Sequence, residues 1–271
     1  MLADGVLRTA GGKTADRVGP TEAASGRVVL DAASRSILST ELVPKFLATV
    51  SRTGEPNVVP VLSLCPFDEG RLAFGEFMIW KTKQNLAETG RAAFVALDQR
   101  LNYVAGEGVF EGFVDSGPVF DLVANAPLFR YNPYNGLRGA GTLRLVALGP
   151  VGRIPTASLL TAHVRAACLA RAAGSRGRDL IPLTVAEKFR RLRAVKAVAW
   201  ATAGPEGPGV RVLPAAGVGV AGRHTLVVGD RAVAAAVPDG SRVAVAVITL
   251  DPVAYQVKGD VRRQGDTLYV E

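Results

Sequence analysis

The chain has 271 residues, 48% of them hydrophobic and 21% charged, which supports a globular protein with a sizeable core and excludes a disordered one. Two cysteines cannot build a disulfide framework, and no apolar run reaches the length of a membrane-crossing helix. A net charge of +8 admits an anionic partner, whether nucleic acid, a membrane surface or a small molecule.

Residues 1–26 are small, polar and Gly-rich, without the apolar core of a secretory leader, so a mobile start (taken to residue 36) and a cytoplasmic, thiol-reduced protein are expected. Ser39 or Thr40 is expected to cap a short helix at 41–46. Residues 46–50 then turn through SRTGEP into 57–64 (NVVPVLSL), a hairpin pattern, with Pro60 marking an edge or bulge. A PFDEG turn leads to a strand at 71–75. After it come a basic turn, a helix at 83–89 ended by Gly90, and strands at 92–97 and 102–113. Residues 115–128 show helical spacing. The loop at 129–141, with Arg130, Tyr131, Asn132 and Tyr134, reads as a substrate lid or a barrel cap, and 142–148 returns as a strand.

Residues 156–173 read as a helix and 174–179 (GSRGRD) as a linker, followed by a helix at 184–195 with a Thr184–Glu187 capping box. The basic cluster at 188–196 (KFRRLRAVK) is read as a solvated helix face rather than a nucleic-acid patch, and no nucleic-acid or membrane partner is expected. His163 and His224 have no metal-ligand spacing, so no metal site is expected. Ser63 and Cys65 have no histidine nearby in sequence, which leaves nucleophilic catalysis unsupported and the catalytic residues unassigned.

The pattern then repeats. Residues 198–202 match 46–50, and 210–216 (VRVLPAA) match 57–63, with Pro214 on Pro60. Residues 231–247 align without gaps to 81–97, placing Gly240 on Gly90, and 253–261 match the strand near Leu101. The expected divisions are a flexible segment at 1–36, a first domain at 37–155, a helical linker at 156–183 and a second, degenerate domain at 184–271.

The centre of the pattern is 77–98 (FMIWKTKQNLAETGRAAFVALD). A helix start exposes unpaired N–H groups and the positive end of the helix dipole, so it favours an anion. Lys81, Thr82 and Lys83 add donors for phosphate oxygens; the alternative is a plain solvated basic helix start. In the second copy, Lys81-Thr82-Lys83-Gln84-Asn85 becomes Arg231-Ala232-Val233-Ala234-Ala235, so one anion site per chain is expected, in the first copy.

Together the segments FLATVSRTGEPNVVPV, WKTKQNL, GRAAFVALD and, in the second copy, YQVKGD resemble the FMN-binding split-barrel superfamily, the pyridoxamine 5′-phosphate oxidase-like proteins. The resemblance implies a mainly β fold of two tandem split barrels forming an intramolecular pseudo-dimer, with a further homodimer left open. It implies FMN between the barrels, its phosphate on Lys81, Thr82, Lys83 and Asn85, with Trp80 also among the cofactor-binding residues. Val58, Val59, Pro60, Val61 and Ser63 would run past the isoalloxazine ring, with Gln256 and Lys258 on the facing wall. The first copy has Leu101–Gly106 where the Y-Q-x-K-G type is usual, and no counterpart of the oxidase's substrate-binding basic residues is evident. A flavin-dependent oxidoreductase with a small-molecule substrate or electron donor is the leading expectation. A non-catalytic flavin, deazaflavin or haem carrier is the alternative.

Overall fold

The computed structural model describes residues 27–77, 79–127, 136–173, 180–249, 251 and 253–271. The start at 1–26, the loop residues Arg130, Tyr131, Asn132 and Tyr134, and the linker at 174–179 lie outside the described residues.

The first half forms one antiparallel sheet from β1 (Lys45–Val50), β2 (Pro56–Pro60), β3 (Cys65–Pro66), β4 (Arg71–Gly75), β5 (Arg91–Leu97), β6 (Asn102–Val114) and β7 (Ala140–Leu148). Its order is β2-β1-β5-β6-β7-β4-β3, with a short β8 (Gly152–Arg153) beside β6. The second half contributes β9 (Val195–Thr202), β10 (Gly209–Ala215), β11 (Val218–Ala221), β12 (Thr225–Val228), β13 (Arg242–Ile248), β14 (Ala254–Gln264) and β15 (Thr267–Val270). Their order, β10-β9-β13-β14-β15-β12-β11, repeats the first sheet strand for strand.

The helices, in chain order, are α1 (Ala32–Ser39), α2 (Trp80–Thr89), α3 (Pro118–Ala124), α4 (Thr156–Ala173), α5 (Leu183–Arg190) and α6 (Arg231–Ala236). Three local expectations are corrected. The helix expected at 41–46 lies earlier, overlapping the end of the supposed mobile start, because the Asp31 carboxylate accepts the Ser34 N–H at 2.8 Å and fixes the N-terminus there. Thr40 instead closes that helix, and Phe46 belongs to β1. Thr184 lies inside α5, which starts from Pro182 with no side-chain cap.

Backbone pairing fixes how the copies correspond. Phe46 pairs with Pro60 and Val95, and Ala197 with Pro214 and Ala246. Pro214 therefore does fall on Pro60, and Asn57 corresponds to Arg211. The ungapped block is one residue out, since 231–247 corresponds to 80–96 and Arg242, not Ser241, answers Arg91. A one-residue slip moves every side chain of a strand to the other face, so the correction decides which residues point where.

Period-two alternation gives each sheet two apolar faces. Leu47, Phe74, Phe94, Val104 and Leu143 fill the first barrel, and Val198, Leu213, Val228, Val245 and Leu268 the second. The alternate residues of the same strands pack into a third cluster between the barrels. Phe46, Ala48, Val58, Ala93 and Val95 there meet Ala197, Ala199, Val210, Val212, Ala244 and Ala246. The barrels thus form an intramolecular pseudo-dimer. At about 1.5–3 kcal/mol per large apolar side chain buried, this seam is a major stabilising surface.

Each copy buries a lysine at the start of its first strand. The Lys45 ammonium donates to Leu38 O at 2.7 Å, and the corresponding Lys196 to Arg191 O at 2.5 Å, each holding the carbonyl end of the preceding helix. Among the described residues, no helix is long and apolar enough to cross a membrane.

Helix α4 lies directly on β11 and β12. A Cβ at Gly217 would sit 2.2 Å from Ala162 O, so Gly217→Ala forces the helix outward. Chemical denaturation of the variant is expected to show a loss of about 1–3 kcal/mol. Burial lowers Lys196 from 10.5 to about 8. The unfolded chain keeps this proton to higher pH than the folded one, so stability rises as pH climbs from 8 towards 10.5. The gain is up to about 3 kcal/mol, and the slope is expected to flatten in Lys196→Met; an unchanged slope contradicts the assignment.

Candidate functional site

The expected site residues split into three groups. Val58 lies on the seam, where its N–H donates to the Gln256 side-chain oxygen of the second barrel at 3.2 Å. Gln256 donates to Asn57 Oδ1 at 3.1 Å, and Asn57 donates to the Thr82 hydroxyl at 3.0 Å. This chain of amides joins the second barrel to the first turn of α2.

Val59 and Val61 turn the other way, onto the core of the first barrel, beside half-buried Pro60. Ser63 accepts the Gly75 N–H at 2.9 Å and lines a separate cavity of about 370 Å³ with Lys45 and Cys65. The structure therefore does not bring Ser63 to the seam.

Helical periodicity sorts the third group. Thr82, Asn85 and Leu86 face the barrel and are buried, while Lys81 and Gln84 face outward. The Asn85 amide donates to Thr49 Oγ1 at 3.1 Å, and its buried oxygen has no hydrogen-bond partner. Asn85 thus ties α2 to β1 and is fully buried. Lys83 pairs with Glu76 at 2.5 Å and lies over the Phe113 ring, within its own barrel. Trp80 is 70% exposed, with the Arg138 guanidinium 5.3 Å from its ring centre. Lys81, exposed, reaches Gln84 Oε1 at 3.4 Å.

Lys258 approaches α2 from the second barrel. Burial pushes its ammonium below the usual lysine range, Glu55 at 3.3 Å draws it back, and Lys81 and Arg242 push it down again. Lys81 is thus near enough to Lys258 for its charge to be felt there, while Lys258 itself is paired with Glu55. Burial alone would raise the Glu55 carboxyl, but Arg242 at 3.0 Å and Lys258 outweigh it and hold it below the ordinary range.

The counterpart of this site is filled by the chain itself. Helix α2 begins from Ile79 with no side-chain cap, whereas the matching residue ahead of α6 is Asp230. The Asp230 carboxylate accepts N–H groups of Ala232 at 3.1 Å, Val233 at 3.5 Å and Ala216 at 2.8 Å. An internal anion thus sits at one helix start and none at the other. Across the seam, Arg211 and Glu107 replace Asn57 and Lys258 and pair at 3.0 Å, while Ala105 replaces Gln256. The corresponding arginines 91 and 242 each reach the opposite barrel's first hairpin turn, at Glu206 and Glu55, although Glu206 is not the register counterpart of Glu55.

Sequence reasoning missed Asn57, Glu55 and Asp230. Asp230 had a signal, since an aspartate directly before a helix is a strong capping pattern. Asn57 and Glu55 had none, because their importance rests on contacts nearly 200 residues away. The basic cluster at 188–196 is largely engaged within the protein. Lys188 and Arg191 pair with Asp251, Arg190 donates to Val220 O, and Lys196 is buried.

No family profile matches the chain, and no curated protein does either. Among solved structures, an FMN-binding protein from Syntrophomonas wolfei subsp. wolfei is 22% identical, with a TM-score of 0.39, over 45% of this chain and 86% of its own. An F420 reductase is 19% identical, with a TM-score of 0.35, over 44% of this chain and 98% of its own. A heme binding protein from Mycobacterium smegmatis is 15% identical, with a TM-score of 0.34, over 72% of this chain and 93% of its own. The split-barrel description rests on the chain's own strand order and cores.

Removing Gln256 strands the buried Asn57 amide oxygen and the Val58 N–H. Gln256→Ala is expected to cost about 1–3 kcal/mol by denaturant unfolding. In a double-mutant cycle with Asn57→Ala the losses are expected to be non-additive; simple additivity contradicts the network.

Proposed function

We propose that the seam at the start of α2 binds a flavin nucleotide by its phosphate, FMN fitting best, and that the chain is a flavin-dependent oxidoreductase of the pyridoxamine 5′-phosphate oxidase-like kind. One observation carries this reading: α2 has no capping side chain, whereas its counterpart α6 holds the Asp230 carboxylate. A first turn has N–H groups without intrahelical acceptors, and an anion there is stabilised by both hydrogen bonds and the dipole. Lys81 and Lys258 supply two cations at that place, a donor set suited to a compact dianion such as a terminal phosphate.

The residues present thus fit the phosphate end of FMN. Lys81 and Lys258 would hold it, and exposed Trp80 offers an aromatic face beside it. Haem, which has no phosphate and needs an axial ligand, is less well suited to a donor set of two ammonium groups and backbone N–H. When bound, a flavin supplies hydride transfer, and the protein's part is to grip, orient and set the charge around it. Thr82 and Asn85 support the site from beneath by fixing α2 to β2 and β1.

Lys81→Ala and Lys258→Ala are each expected to weaken FMN binding about tenfold, measured by quenching of flavin fluorescence. Ile79→Asp builds into the first copy the cap that the second already has. It is expected to abolish FMN binding, the cap's gain of about 0.5–2 kcal/mol being offset by the loss of Ile79 packing against the first barrel's core. Unchanged affinity in all three variants removes the phosphate site. Bleaching of the flavin by a reduced nicotinamide distinguishes an oxidoreductase from a carrier.

A further inference from the structure

The second barrel has a cavity of about 550 Å³ between α4 and β11, a volume in the range of small-molecule sites. It shares no lining residue with the seam site. His163, Ala167, Ala170 and Arg171 reach it from one face of α4, at helical spacings of four, seven and eight residues. Arg190 closes it from the end of α5, its guanidinium held by a 3.2 Å hydrogen bond to Val220 O. The rest of the wall is Val218, Gly219, Val220 and Gly222, and among the described residues no carboxylate lines it.

We propose that this cavity binds a small organic oxyanion, a phosphate monoester or a dicarboxylate, through Arg171 and Arg190, with His163 as a third donor. Two guanidiniums over an apolar floor provide forked donors for paired oxygens while leaving room for an uncharged body. The His163 ring buries its Nδ1 without a hydrogen-bond partner, and Lys196 lies close enough to disfavour a second positive charge there. His163 lines the cavity, and an imidazole N–H there would serve as the third donor.

The first barrel supplies an internal comparison. Its corresponding cavity, beside Lys45, has Ser39 in the place of Arg190 and Cys65 in the place of Gly219, and Glu41 lines it. The first cavity thus sets Lys45 against Glu41, and the pair of guanidiniums belongs to the second copy and not to the fold.

The proposal stands independently of the flavin reading and is tested on the full chain with pyrophosphate and succinate as probes. Imidazole NMR is suited to it, because the chain has two histidines and His224 lies outside the cavity lining. Burial and Lys196 hold His163 below the ordinary 6.5. A bound anion is expected to move its titration midpoint upward and leave that of His224 in place. Calorimetry in saturating FMN, which occupies the seam if that reading holds, is expected to give one site per chain, and Arg171→Gln with Arg190→Gln to weaken it about tenfold or more. Preference for pyrophosphate assigns a phosphate ligand, and preference for succinate a dicarboxylate. No binding by either, an equal shift of both histidines, or an unaltered affinity in the double variant overturns the proposal.

Discussion

The molecule depends on the two-residue period of β1, β5, β9 and β13. Each of these strands is apolar on both faces, so each sheet fills its own barrel with one set of side chains and meets the other barrel with the alternate set. Leu47 and Phe94 look inward while Phe46 and Val95 look across the seam, and the second copy does the same with Val198 and Ala197. The fold would lose this surface if any of these strands slipped by one residue. Only after the apolar seam is in place do Asn57, Glu55, Gln256 and Lys258 come within reach of α2.

Duplication within one chain frees the two copies to differ. In a symmetric dimer, every gain or loss at one helix start is repeated at the other. Here Ile79 leaves α2 uncapped while Asp230 fills α6, and Lys258 faces Lys81 while its counterpart Glu107 pairs with Arg211. The start of α6 gains a carboxylate cap where the start of α2 keeps exposed Lys81, with half-buried Lys258 paired to Glu55 nearby. The lysines at 45 and 196 do not diverge, because each holds the carbonyl end of a helix against its barrel.

Much of the fold was legible in local patterns. The turns after β1 and β9, the matched prolines 60 and 214, and the helix Thr156–Ala173 read directly from composition and spacing. The copy-to-copy register at α6 and β13 did not. Setting Gly240 on Gly90 looks natural in sequence, but both are turn glycines with positive φ at shifted positions, and only backbone pairing exposes the shift. At the site, the inward facing of Thr82 and Asn85 was available from their helical spacing with Leu86. The seam partners of Asn57 and Glu55 were not, since nothing near either residue encodes a contact from the far end of the chain.

The central claim is an asymmetry: one helix start takes an external anion and its twin already holds an internal one. The most direct measurement is the stoichiometry of FMN bound at equilibrium, titrated against a known concentration of chain. The account predicts one flavin per chain. Two per chain would mean that Asp230 does not block the second site, and none would mean that the start of α2, with Lys81 and Lys258, is not a phosphate site.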